Sequence, residues 1–206
     1  LERLFSVFPG SAKELGADEG VFTGPRPGIF EGVQDETLKE LTHKIDGGVL
    51  LTMYDSEVKR LTKLIDNKKV LVLSIRDAKG LEWPNVIIVD FFSSLEREHQ
   101  VPWRKLFQAR EEDAIKPGFP EIETQLKQLY TAITRCSRRL FIAETRSSDA
   151  GEALVRWLKE NELAVRQNVE DVEKWEKIAP RPPLQIRLQG YPAYNISHKN
   201  YYFQKL

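Results

Sequence analysis

The sequence predicts an α/β fold, with helices packed on both faces of a parallel β-sheet. Residues 49–53, 70–75 and 86–91 are apolar almost throughout, and strands of this kind belong to the interior of a parallel sheet that is covered on both sides. Segments with apolar residues at helical spacing lie before, between and after these strands. This alternation of strands and helices along the chain predicts the α/β class.

The first half of the chain contains most of the predicted strands. Residues 1–8 have apolar side chains at helical spacing, and residues 22–28 are rich in proline and glycine, which predicts a loop. A capping residue for the second helix after this loop is expected at Asp55 or Ser56. The elements expected after the loop are a helix marked by Leu38, Leu41 and Ile45, the strand 49–53, a helix marked by Val58, Leu61, Leu64 and Ile65, and the strands 70–75 and 86–91.

The second half begins with residues 93–121, which are rich in charge and predict a surface excursion. The elements expected after it are a helix at 122–133, a strand at 139–144, a helix marked by Leu154, Trp157 and Leu158, and a short run at 163–166. Beyond about residue 167 the chain is rich in proline and weakly periodic. We therefore expect a domain at 1–166 and an irregular extension or linker at 167–206.

Composition excludes several classes of function. Lysine plus arginine and aspartate plus glutamate both number 31, so any surface that binds a polyanion must be local. The single cysteine, Cys136, cannot form an internal disulfide and suits a reducing compartment, and the three histidines lack metal-ligand spacing. No stretch approaches the about 18 apolar residues of a membrane helix, and the N-terminus has no signal pattern. We expect an intracellular protein without a membrane partner or a metal site of its own.

The loop that follows the strand 70–75, RDAKGLEWPN, is the first candidate site. Ligands of parallel sheets bind beyond the carboxyl ends of the strands, which is where this loop is expected to begin. Gly80 permits close approach of a phosphate, Lys79 supplies positive charge, and Glu82 can accept hydrogen bonds from a ribose. A plain charged turn explains the same residues equally well.

The second candidate is the end of the helix within QLKQLYTAITRCSRRLFIAE, residues 125–144. Its apolar residues face the core, and Thr134 and Arg135 follow near its C-terminus. An arginine at this place either compensates the helix dipole or binds an anion. Arg138 and Arg139 either line a phosphate track or form a solvated basic helix end.

Together the two stretches resemble motifs of superfamily 1 helicases of the UvrD-like kind. The fifth motif of that family, Thr-x-His-x-x-Lys-Gly-Leu-Glu-Phe/Trp, is similar to residues 74–83, SIRDAKGLEW. The sixth, Leu-Tyr-Val-Ala-x-Thr-Arg-Ala, is similar to residues 129–136, LYTAITRC. The resemblance covers residues 49–144. The opening segments LFSVFPGS and GVFTGPRP are also similar to the UvrD-like module of large tetratricopeptide-and-ankyrin-repeat proteins.

This resemblance implies a RecA-like domain, of the P-loop NTPase-like type, that serves as the second domain of a helicase. Such helicases bind ATP between two RecA-like domains and a single strand of DNA or RNA across both. The sequence contains no G-x-x-x-x-G-K-[ST] motif, so the P-loop and the Mg²⁺ ligands are expected in an N-terminal RecA-like domain of the same protein. We expect the present chain to hydrolyse no ATP by itself.

The resemblance also implies roles for individual residues. Arg135 is the expected arginine finger at the γ-phosphate. Glu82 is expected at the ribose, and Gly80 with Lys79 on the phosphate side. Ser74 and Arg76 are expected to contact the nucleic-acid backbone, and Thr52 and Tyr54 are further expected nucleic-acid-binding residues.

The sequence departs from the family at three places. Arg76 replaces the histidine of the fifth motif, and it can hold a phosphate but cannot act as a neutral donor and acceptor. Thr52, Met53 and Tyr54 stand where the family commonly has Arg-x-Asn, and Tyr54 can stack a base instead. Only DNKK, residues 66–69, stands where UvrD-like helicases insert a large accessory domain. This predicts translocation on a strand in preference to duplex separation.

Three readings of the function remain open at this level. The first is the second half of an ATP-dependent helicase or translocase. The second is a degenerate helicase module that acts as an interaction scaffold. The third is a free-standing nucleotide-binding or phosphotransfer domain, which the lack of a P-loop disfavours.

Overall fold

A computed structural model describes residues 25–108 and 120–172, which form an α/β fold around a six-stranded sheet. All strand pairs are parallel, and the strand order is β3-β2-β4-β5-β1-β6. The predicted fold class is confirmed. The elements are β1 (Gly28–Phe30), α1 (Asp35–Lys44), β2 (Gly48–Thr52), α2 (Asp55–Leu64), β3 (Val70–Ser74), β4 (Trp83–Val89), α3 (Arg97–Gln108), α4 (Pro120–Ile133), β5 (Cys136–Ala143), α5 (Asp149–Glu160), β6 (Val165–Arg166) and a 3₁₀ turn (Val169–Asp171).

The helices cover the two faces of the sheet in two groups. Helices α1 and α2 pack on one face, and α3, α4 and α5 pack on the other. Side chains of a strand alternate between the faces, so Leu50 of β2 lies in the first core whereas Val49 and Leu51 lie in the second. This arrangement explains why the central strands are apolar throughout.

Helix α3 corrects the expectation of a surface excursion at 93–121. Residues 97–108 are helical, and Trp103 is completely buried against the second face of the sheet. Its indole N–H donates to the side-chain oxygen of Gln125 in α4 at 2.5 Å. Trp103, Leu106 and Phe107 recur at helical spacing, and these three are enough to bury one side of α3 while its charged residues face solvent.

Three further differences concern one short strand and the limits of two expected segments. Strand β1 was not expected, because its three residues begin at the last residue of the loop predicted at 22–28 and are too few to show a pattern. Tyr54 precedes α2 as its N-cap without a side-chain cap hydrogen bond, so neither expected capping residue caps this helix. Val169 and Val172 are buried beside α1, so the packed core extends beyond the expected boundary at 166. The expected helix at 1–8 and most of the extension lie outside the described residues.

Candidate functional site

The connection between β3 and β4 crosses the sheet without a helix. These strands are parallel and β2 lies between them, so residues 75–82 must return from the carboxyl end of β3 to the amino end of β4. They do so in a series of turns, with Ile75 and Ala78 buried in the second core. The two ends of this connection therefore lie at opposite edges of the sheet.

Arg135 lies at the edge where β4 and β5 begin. Its carbonyl accepts a hydrogen bond from the N–H of Trp83, the first residue of β4, at 2.9 Å. Its guanidinium donates to the carbonyls of Thr131 and Leu81, both at 3.0 Å, and to the hydroxyl of Thr134 at 3.1 Å. None of these acceptors is a carboxylate. The positive charge of Arg135 is held beside the connection without an ion partner among the described residues.

The residues next to Leu81 in the connection face solvent. Lys79, Gly80 and Glu82 are all exposed. Gly80 has a φ of 84°, a backbone conformation that residues other than glycine rarely adopt. A Cβ atom added there would meet nothing within 4 Å, so the space beside this part of the backbone is open.

This placement of Arg135 and residues 79–82 corrects the expectation that the candidate site lies beyond the carboxyl ends of the strands. Leu81 lies two residues before β4 and Arg135 directly before β5, and Trp83 pairs with Cys136 across these two strand starts. The physical reason is the missing helix, since a connection of eight residues uses its whole length to return to the opposite edge. Burial raises the pKa of the Cys136 thiol to about 11, so this neighbour of Arg135 remains protonated at neutral pH.

Thr52 and Ser74 end β2 and β3 and pair with each other in the sheet. Both are buried, with exposures of 0% and 1%. The Ser74 hydroxyl donates to the Asp77 carboxylate at 2.7 Å and accepts from the Asp77 N–H at 3.2 Å. Ser74 thus shapes the start of the connection, and neither side chain offers a surface to a nucleic acid in this conformation.

The other two residues expected to contact a strand are accessible. Tyr54 is 41% exposed. Arg76 is exposed and lies between two carboxylates, with Asp55 at 3.4 Å and Asp77 at 3.7 Å. The structure therefore groups Tyr54 and Arg76 at the carboxyl edge of β2 and β3.

Arg139 does not line a phosphate track. It is only 2% exposed, and its Nε donates to the side-chain oxygen of Asn85 at 2.7 Å. The amide of Asn85 donates in turn to the carbonyl of Gly47 at 2.6 Å. Arg139 therefore joins β4 and β5 to the turn before β2, while Arg138 remains partly exposed.

A pair of acidic residues that the sequence interpretation missed joins the carboxyl ends of β4 and β5. Asp90 accepts from the N–H and hydroxyl of Thr145 at 2.6 and 2.7 Å. Glu144 accepts from the N–H groups of Phe92 and Ser93 at 3.0 and 2.9 Å. Removal of the Glu144 carboxyl from water raises its pKa to about 7. The available signal was an acidic residue directly after each of two apolar strands.

Two arginines form ion pairs with Asp90 of this acidic pair. Arg60 of α2 donates to Asp35, Glu57 and the completely buried Asp90 at 2.8 to 2.9 Å. Arg146 lies 3.3 Å from Glu57 and 3.6 Å from Asp90. The carboxyl edge of the central strands, where parallel sheets commonly bind ligands, is therefore occupied by the protein's own ion pairs.

Comparisons with known proteins give limited similarity. No family model matches the chain. The TPR and ankyrin repeat-containing protein 1 of Homo sapiens is 28% identical over 170 residues, which cover 66% of this chain and 6% of that protein. The chain thus corresponds to a small part of that relative. Among solved structures, the C-terminal domain of a possible DNA helicase from Lactobacillus plantarum WCFS1 matches with a TM-score of 0.44 and 20% identity, over 70% of this chain and 86% of that one.

None of the helices formed by residues 25–108 and 120–172 combines the length and apolar character that crossing a bilayer requires.

Proposed function

We propose that this chain is the second RecA-like domain of an ATP-dependent helicase or translocase. Its partner is an N-terminal RecA-like domain of the same protein, which supplies the P-loop and the Mg²⁺ ligands. The observation that carries the proposal is the position of Arg135, whose guanidinium rests on the carbonyl of Leu81 beside the exposed Gly80. The two motifs that suggested a helicase are thus in direct contact.

Arg135 is suited to stabilise negative charge on a phosphate. A guanidinium has fixed donors and remains charged at any physiological pH. Its present acceptors are two carbonyls and a hydroxyl, which position the side chain without neutralising it. When ATP lies between the two domains, Arg135 offsets the charge that develops on the transferred phosphoryl group.

The other exposed residues of this edge contribute binding. Gly80 lets the backbone approach the phosphates, and Lys79 adds a second positive charge. Glu82 has free acceptor oxygens for the ribose hydroxyls. These groups surround the triphosphate only after the partner domain has closed over it, so this chain alone supports no turnover.

A single strand of DNA or RNA contacts the opposite edge. Arg76 and Tyr54 are its exposed contacts there, with a phosphate on the guanidinium and a base on the ring. Thr52 and Ser74 act indirectly, because they are buried and support the start of the connection. Since one connection of eight residues joins the two edges, movement of the strand and closure of the nucleotide site are coupled through residues 75–82.

The test is ATP hydrolysis by the full-length protein, measured with and without a single-stranded oligonucleotide. We expect hydrolysis that the oligonucleotide stimulates, and a loss of about 10³–10⁵ in turnover for Arg135→Ala. Arg138→Ala is the control, because Arg138 is also basic, lies three residues away and makes none of the contacts to Leu81. If wild-type protein hydrolyses no ATP, the chain is a scaffold and the proposal fails.

A further inference from the structure

Three hydrogen bonds hold the guanidinium of Arg135, and one of them depends on a side chain. Nε donates to the carbonyl of Thr131 and Nη1 to the carbonyl of Leu81, both at 3.0 Å. Nη2 donates to the hydroxyl of Thr134 at 3.1 Å. The two carbonyls belong to the backbone and are present whatever the side chain is. The Thr134 hydroxyl is therefore the one acceptor of the three that a particular side chain has to supply.

The hydroxyl of Thr134 is oriented as an acceptor for this arginine. Thr134 lies partly buried in the turn between α4 and β5. Its oxygen lies 3.0 Å from the carbonyl of Tyr130 and 3.1 Å from that of Thr131. A hydroxyl has one proton and two lone pairs, whereas a carbonyl can only accept. The proton of Thr134 therefore points back to α4, which leaves the lone pairs for Arg135.

A guanidinium that is held in this way keeps donors for a ligand. It has five N–H groups, and the three hydrogen bonds use one each. Two N–H groups remain, one on Nη1 and one on Nη2, and they have no acceptor among the residues that the structure describes. Two donors on neighbouring nitrogens suit the oxygens of a phosphate. Their direction depends on the plane of the guanidinium, which the bond to Thr134 helps to fix.

The orientation of these donors matters most during phosphoryl transfer. Charge develops on the phosphoryl group only as it is transferred, and donors that already point to it stabilise that charge without further rearrangement. If the acceptor of Nη2 is lost, the plane of the guanidinium is held by two carbonyls alone. The rate of transfer should then fall more than the affinity for ATP, because the lost interaction belongs to the transition state.

We propose that Thr134 is a positioning residue that fixes the plane of the Arg135 guanidinium for the transferred phosphoryl group. The inference rests on the proposed function and adds to it the side chain on which the arginine finger depends. Thr134 itself contacts no phosphate, so its effect passes through Arg135. Its hydroxyl also has a structural use, because the bonds to Tyr130 and Thr131 satisfy carbonyls at the end of α4. The experiment has to separate these two uses.

The test is single-turnover ATP hydrolysis by the full-length protein with a single-stranded oligonucleotide bound, together with the equilibrium affinity for ATP. Thr134→Val keeps the shape of the side chain and removes the acceptor, and Thr134→Ser restores the hydroxyl. Thr62→Val is the matched control. The Thr62 hydroxyl donates to the carbonyl of Val58 at 2.7 Å near the end of α2, so this variant loses the same kind of helix bond at a residue that makes no bond to Arg135.

We expect Thr134→Val to slow the chemical step about tenfold, the size of effect that the loss of a hydrogen bond to a charged group supports. The affinity for ATP should change less than about twofold. Thr134→Ser should be close to the wild type, and Thr62→Val equal to it. In an Arg135→Ala background, Thr134→Val should cause no further slowing, because the two residues act as one unit. Thermal melting of each variant checks that the fold is intact.

A wild-type rate in Thr134→Val, an equal loss of rate in Thr62→Val, or a rate in Thr134→Ser as slow as in Thr134→Val overturns the positioning role. Further slowing by Thr134→Val in the Arg135→Ala background also overturns it. If Arg135→Ala alone is slow in these cases, the proposed function stands without Thr134. If the wild-type protein hydrolyses no ATP, or Arg135→Ala hydrolyses it at the wild-type rate, the proposed function fails and the positioning role fails with it.

Discussion

The Glu144 carboxyl provides a quantitative prediction about stability. Burial raises its pKa from 4.5 to about 7 in the folded protein, and this difference corresponds to about 3 kcal/mol in the free energy of unfolding. Because the folded protein binds this proton more tightly, the contribution is most favourable below pH 4.5. It decreases as the pH rises towards 7 and is constant above that value. Glu144 therefore destabilises the folded protein at and above neutral pH.

The perturbation that tests this is Glu144→Gln. The glutamine oxygen can accept from either Phe92 or Ser93, whereas the carboxylate accepts from both, so the variant has a cost of about 1–3 kcal/mol at every pH. The pH-dependent contribution of residue 144 to the free energy of unfolding disappears in this variant. We expect the free energy of unfolding of the wild type, relative to the variant, to decrease by about 3 kcal/mol between pH 4.5 and 7.5.

The assay is urea unfolding of both proteins, followed by circular dichroism at several pH values in this range. Glu152→Gln is the control, because Glu152 is an exposed acid of the same segment that accepts from Ser147 at 2.7 Å. Its pH profile should run parallel to that of the wild type. A constant difference between wild type and Glu144→Gln at all pH values would refute the reasoning about burial of this carboxyl.

Two further substitutions test the packing and the backbone. Trp103→Ala should lower the free energy of unfolding by about 3–5 kcal/mol, because the indole is fully buried and its N–H donates to the side-chain oxygen of Gln125. If residues 93–121 lay on the surface instead, the substitution would leave urea unfolding almost unchanged. Gly80→Ala should lower the free energy of unfolding by about 1 kcal/mol because of the φ of 84°, and it should weaken ATP binding by the full-length protein more strongly than that. If nucleotide affinity is unchanged in an equilibrium binding assay, Gly80 does not contact the phosphates.

The central strands were readable from the sequence because they are buried on both faces. A strand such as β4 contains only apolar residues from Val86 to Val89, and no other arrangement buries such a run as well. Strands β1 and β6 have three and two residues, which is too short to show a pattern. Helix α3 was missed because charged residues outnumber its apolar anchors, although the spacing of the anchors was correct.

The sequence singled out two separate stretches, but it did not show that they meet or at which edge of the sheet they do so. The two helicase-like motifs named Gly80 and Arg135, and the bond from Arg135 to the Leu81 carbonyl brings them together. The site was expected at the carboxyl ends of the strands but lies where β4 and β5 begin. The sequence does not reveal the strand order, and only this order shows that residues 75–82 must return to the start of β4. The hydrogen bonds from Thr145 to the Asp90 carboxylate join residues 55 positions apart, and no local pattern indicates such a contact.

The most direct test of the account is single-turnover ATP hydrolysis by full-length Arg135→Ala with the oligonucleotide bound. This measurement separates the chemical step from nucleotide binding and product release. The account predicts nearly unchanged ATP affinity and a chemical step that is about 10³–10⁵-fold slower, with Arg138→Ala equal to the wild type. A chemical step at the wild-type rate in Arg135→Ala would contradict it.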